Sequence, residues 1–496
     1  MATLRNFIML RIAVVAFASL LVGGAACAQE AQPEYREVLL QVTPAAEPRP
    51  ALLYSLWTPD RELKAGNSAP YYYRAMLSNS QRAEGIRKAF PPEKINWLEV
   101  PLRELPLADV ERYIEQHEAV LLELTRATEC ERCDWELRLK DLRGLDTINF
   151  LLHDFQEMRN LSRLIAYKAR AEIAQKKFDD AARSLRMGYR IAHDVGQVPL
   201  LINGLIGVAI SATMDQVVVD WINTPDAPNL YWAIKQLPHP LINMRAAMQY
   251  EMNLPYQIFP FLLDAETKER SSEEWQRVVT ETLREFNAMQ SYENKSVPAW
   301  QLQLLGTAAL LKAYPQAKQD LIASGWEAAK VEKLPVAQVV AIQASRSYRY
   351  TYQEMFKWSL LPYAEARVRM RDSEQRLVKE GYLGQPLQGK EFIPIASLLL
   401  PATQSAAIAL ARHERNQAVL ETLEALRMHA AERNAWPKTL SDVTCVPAPN
   451  NPFTAQPFDY RLENGVAVLE ETSGEGDPRR TNDRRFRLEL LKAPAR

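Results

Sequence analysis

KKFDDAARSLRMGYRIA, residues 176–192, is the stretch on which the fold turns. Ala182, Leu185, Tyr189 and Ala192 fall three or four apart, which places them on one face of a helix. Asp179 is the expected N-cap. Upstream, Leu161, Leu164, Ile165, Ala169 and Ile173 line a second amphipathic helix, and residues 175–178 form a polar turn between the two. Downstream, Gly204 and Gly207 stand three apart in an apolar run, so a neighbouring backbone is expected to approach there. No Lys-Ser/Thr pair follows them, which removes the phosphate-loop reading.

The same spacing extends outward. Val110, Tyr113, Ile114, His117, Leu121 and Leu124 predict one helix over residues 109–126. Ser271, Ser272, Glu273 and Glu274 open another with capping residues and early acids, and Trp275, Val278, Val279, Leu283 and Phe286 give its buried face. Residues 336–358 supply a further helix, and a long one is expected from about Thr403 to Arg433. Prolines 255, 260, 298, 315 and 335 are read as helix breaks. The chain has only 17 glycines, where average usage of about 7% predicts roughly twice as many. Tight hairpins and phosphate loops both depend on Gly, so 31 prolines and few glycines favour helices joined by Pro-marked turns.

Strand signals lie at the two ends. Residues 37–42 and 51–57 are short apolar runs among Pro44, Pro48, Pro50 and Pro59, each fit for an edge strand. Residues 458–462 and 466–470 form two strands about an Asn464-Gly465 turn. The fold class is therefore mainly α: an irregular array of packed helical hairpins with a small C-terminal α+β module. Four segments are expected: a leader at 1–28, an extended segment at 29–66, an all-α domain at 67–390, and the long helix with its module and a polar tail at 391–496.

The leader carries Arg5 and Arg11, an apolar run from Ile12 to Val22, and small residues at Ala26 and Ala28. That is the pattern of a secretory signal peptide cleaved after Ala28. Cys27 is the alternative, as a lipidation acceptor and the one expected membrane attachment. No later segment is expected to span a membrane; residues 393–411 come nearest but are interrupted by Pro394, Pro401, Thr403 and Gln404. The chain holds 60 basic and 61 acidic residues, so it lacks the basic footprint of a nucleic-acid binder.

Three resemblances follow. The hairpin at 160–192 resembles a tetratricopeptide unit, but its 34-residue period does not continue. Asn434, Trp436 and Pro437, followed by Asn451, Pro452 and Phe453, resemble the soluble part of type II secretion major pseudopilins. That likeness covers about eighty residues. It lacks a pilin leader before the long helix, and Glu475-Gly476-Asp477 is at best a vestige of the family's calcium loop. The chain as a whole resembles a group of exported bacterial helical proteins, through GNSAPYYYRAM, CDW, QLPHPLINMR and FKWSLLPY. This last likeness implies no activity.

Candidate chemistry is sparse. Cys130 and Cys133 are expected to form a disulfide if the chain is exported. A redox pair would need cations nearby, whereas Glu129, Glu131 and Asp134 surround these thiols. No metal site and no cofactor are expected. The six histidines form no His-Glu-x-x-His motif, and in His153-Asp154 and His193-Asp194 adjacent helical residues diverge. Tyr71–Tyr73 and Tyr348–Tyr352 read as helix core with amphipathic tips. The functional expectation is an exported, non-catalytic scaffold or adaptor of the periplasm or envelope that binds a peptide or protein partner. The alternative is an envelope hydrolase of glycan or peptide, working through dispersed carboxylates.

Overall fold

A computed structural model describes residues 35–90, 96–142, 154–291, 298–383, 395–473 and 483–491. The leader, with Ala26, Cys27 and Ala28, lies outside the described residues. Fifteen α-helices and six strands are described, so the protein is mainly α with a small sheet, as the apolar spacing implies.

At the centre are α4 (Asp154–Ala174), α5 (Phe178–Gly196) and α6 (Leu201–Ile222), each packed on the other two. Lys176 takes a positive φ in the connecting turn, and Lys177 rather than Asp179 is the cap. Asp179 and Asp180 instead sit in the first turn, where their charge faces the positive helix end. A Cβ at Gly207 would lie 2.7 Å from the Ala192 carbonyl oxygen and 2.9 Å from Gly196 Cα, so α5 and α6 do meet backbone to backbone there. Contrary to expectation, α6 is long and apolar enough to cross a membrane by length and composition. Here it is the inner helix of the core, sheathed by α4, α5 and α15 (Ile395–Arg433).

The expected helix over 109–126 is two: α2 (Leu107–Gln116) and α3 (Glu118–Thr128). His117 leaves helical geometry at φ −106°, ψ 13°, and its Nδ1 lies 2.7 Å from the Tyr113 carbonyl oxygen. Its apolar-face spacing carried on across the break because both helices pack inward. α1 (Ala69–Ala89) lies on α3.

A second core gathers α8 (Met244–Ile258), α10 (Ser272–Ser291), α11 (Ala299–Ala323), α13 (Val336–Phe356) and α14 (Tyr363–Lys379). Ser271 and Glu274 close a reciprocal capping box ahead of α10, at 2.7 and 3.2 Å. Pro260, Pro298 and Pro335 stand at helix starts, but Pro255 and Pro315 lie inside α8 and α11. Pro315 removes one bond to the carbonyl of Leu311, which is on the solvent side and can turn to water.

The sheet runs β1-β6-β5-β4, with β1 (Arg36–Val42), β4 (Asp459–Glu463), β5 (Val466–Glu470) and β6 (Arg484–Leu490). β4 and β5 form the expected hairpin about Asn464 and Gly465, both at positive φ. Residues 484–490, within the polar tail, form a strand in which Phe486 and Leu488 turn inward between Arg485, Arg487 and Glu489. The edge strand expected over 37–42 is present as β1, which pairs in parallel with β6 from Arg36↔Arg484 to Val42↔Leu490. Residues 51–57 form turns and bends instead of a strand. β2 (Lys64–Asn67) and β3 (Cys130–Arg132) make a separate pair. The sheet's buried face, α15 and the central helices share one hydrophobic core.

Candidate functional sites

Three places collect chemistry. The first surrounds the cysteines. Cys130 and Cys133 are free thiols, so the expected disulfide is not formed. Cys130 opens a strand, and three extended steps span about 10 Å, beyond the reach of a bridge. A helical turn, which would have brought them together, is not what this segment adopts. Burial raises both thiols, and for Cys133 the Asp194 carboxylate adds to the effect. The thiols are thereby poor nucleophiles. Asp194 anchors the region. Its carboxylate accepts from the Tyr72 hydroxyl at 2.7 Å and from Arg190 Nε at 2.9 Å, while Arg190 also donates to the Cys130 carbonyl at 2.8 Å. Trp57 covers Arg190 with its ring. His193, next in sequence, points away and meets the Leu241 carbonyl, as divergence of adjacent helical residues requires. Tyr72 and Tyr348 are core residues, while Tyr73 and Tyr350 turn toward solvent.

The second place is the polar seam between α6, α15 and the sheet. Ser211 Oγ and His413 Nε2 lie 2.6 Å apart, and Asp215 follows Ser211 by one turn. These are the residue types of a nucleophile, a base and an orienting acid. They are not wired that way. Asp215 accepts from Tyr189 at 2.8 Å, and among the described residues neither its Oδ2 nor His413 Nδ1 has a hydrogen-bond partner. Burial raises Asp215 to about 7 and lowers His413 to about 4. Ser211, Asp215 and His413 are all buried, so no substrate reaches the pair. Sequence reasoning missed this seam, since its members lie some two hundred positions apart and carry no spacing signal. Beside it, Arg415 donates to Asp483 at 2.6 Å and to Ser473 at 2.7 Å, and Arg484 pairs with Glu471 and donates to Asn416 at 3.0 Å. Burial opposes the charge on Glu471, but Arg484 and Arg415 hold its carboxyl below the usual range. These pairs fasten the sheet to α15.

The residues of the C-terminal module serve the same fastening. Asn434 has a positive φ that ends α15, Trp436 is buried, and Tyr460 donates to the Pro437 carbonyl at 2.8 Å. Asn451 accepts from the Phe453 amide at 2.9 Å and donates to the Thr472 carbonyl at 2.7 Å, while Arg415 lies over the Phe453 ring.

The third place is the surface of α11. Its inner face buries Ala313, Ala317 and Leu321 against the second core. Its outer face carries Trp300 (64% exposed), Leu304 (65%) and Leu311 (62%), spaced by one and two helical turns. Among the described residues, no group of three or more His, Cys, Asp or Glu is placed to hold a metal. No family model, curated protein or solved structure matches this chain.

Proposed function

We propose that this chain is an exported, non-catalytic adaptor of the cell envelope that docks a helix of a protein partner along α11. The observation that carries the reading is the outer stripe of Trp300, Leu304 and Leu311. A large aromatic and two leucines facing water on a helix whose other face is already packed are what a helix-in-groove or helix-on-helix partner covers. The tryptophan is the natural anchor of such a contact. Export rests on the charged, apolar and small-residue succession of residues 1–28. The degenerate hairpin array and the pseudopilin-like module are consistent with an envelope setting, without supplying an activity. The Ser211–His413 contact gives the hydrolase reading little support, because both residues are sealed in the core.

The test compares the wild-type chain with a Trp300→Asp/Leu304→Asp variant, each purified by affinity from the native envelope. One protein should accompany the wild type at a fixed ratio and be lost from the variant, whose circular dichroism should not change. A wild type recovered alone and monomeric, or one that cleaves a labelled envelope glycan or peptide, overturns the proposal.

A further inference from the structure

A cleft between the two cores is lined by Met248, Met252, Met355, Phe356, Ser359, Met370, Gln404 and Ala407. Half of this lining is methionine, in a chain with 13 methionines among 496 residues, so composition alone does not account for it. We propose that this cleft binds a soft monovalent cation, Cu(I), through its methionine thioethers. The inference is independent of the adaptor reading.

The donors come from three helices. Met248 and Met252 stand one turn apart on α8, Met355 lies at the end of α13, and Met370 belongs to α14. α15 closes the fourth side with Gln404 and Ala407. Thioether sulfur is neutral and polarisable. It competes poorly for Ca(II) or Mg(II), which demand oxygen, and for Zn(II), which takes thiolate, imidazole or carboxylate; Cu(I) is the common ion that prefers it. The Phe356 ring adds an aromatic face suited to a cation. Gln404 donates to Glu374 at 3.0 Å, which brings a carboxylate close to a cleft that would hold positive charge.

Methionine also fills irregular gaps without binding anything. Leucine does that nearly as well, since a Met-to-Leu exchange conserves volume and apolarity. Only the ion-binding role needs sulfur. A thioether has no proton to lose, so binding should not change between mildly acidic and neutral pH, unlike binding by thiolates or imidazoles.

The experiment titrates Ag(I), a redox-inert stand-in for Cu(I), into the full chain labelled with 13C at the methionine methyls. Every sample carries Cys27→Ser, Cys130→Ser, Cys133→Ser and Cys445→Ser, because Ag(I) displaces the proton of a thiol even in acid. The methyl signals of Met248, Met252, Met355 and Met370 should shift together and saturate at one equivalent. Met248→Leu and Met355→Leu should lose that uptake with no change in thermal midpoint. Uptake of silver without movement of these methyls, no uptake at all, or leucine variants that bind like their methionine parent would each overturn the proposal. The parent's spectra stand as evidence even if a variant fails to fold.

Discussion

The Tyr189 hydroxyl donates to Asp215 Oδ1 at 2.8 Å, and the other oxygen of that carboxylate is buried with no partner among the described residues. One neutral donor cannot solvate a full charge, so burial lifts the group to about 7. In the unfolded chain Asp215 ionises near the ordinary aspartate value of 3.8. Its favourable contribution to the folded state is therefore complete below about pH 4 and is lost as pH rises through about 7. The upper bound on that loss is about 4 kcal/mol. Asp215→Asn, which resembles the neutral acid, should narrow the difference between urea midpoints at pH 5 and pH 8. An unchanged difference would show that Asp215 is not the group responsible.

The crossing of α5 and α6 makes a sharper demand. At Gly207 an added methyl meets the backbone of Ala192 and Gly196, neither of which can swing aside. Gly207→Ala should cost about 1–3 kcal/mol or more, read as a lower thermal midpoint. Gly85→Ala on α1, with open space around the new methyl, should be neutral or stabilise by up to about 1 kcal/mol.

Arg427 is fully buried on α15 and gathers distant chain. It pairs with Glu424 at 2.9 Å and donates to the carbonyls of Thr43, at 3.2 Å, and Ala227, at 2.5 Å. Arg427→Met leaves Glu424 charged and uncompensated and should destabilise by about 3–5 kcal/mol. Adding Glu424→Gln should recover part of that loss in a double-mutant cycle. A cycle with no coupling would contradict the geometry.

The free thiols make a chemical prediction. Under non-reducing conditions, unfolding in urea with a thiol-alkylating reagent present should label both Cys130 and Cys133 without prior reduction. The native chain should react slowly at the same positions, because burial raises both thiols. A Cys130–Cys133 peptide resistant to alkylation until reduced would restore the bridge.

The helical hairpins and the β4–β5 turn were legible because their signals are local: apolar steps of three or four, and an Asn-Gly pair that admits positive φ. The break at His117 was hidden because α2 and α3 keep the same inward spacing across it. β6 escaped notice because Arg485, Arg487 and Glu489 alternate with its inward Phe486 and Leu488, so the strand reads as a charged tail. The cysteine spacing misled, since i,i+3 brings thiols together only on a helical turn, and here the chain is extended. The seam of Ser211, Asp215 and His413 and the four-methionine cleft assemble residues from separate helices. Only tertiary packing could reveal them.

The parallel ladder between β1 and β6 ties together the two extremes of the described chain. A protease nick in an intervening loop would then leave two fragments still clasped, separable only by denaturant. A ribosome releasing this polypeptide must likewise leave β1 as an open edge until residues 484–490 arrive, which makes its closure a late event in folding.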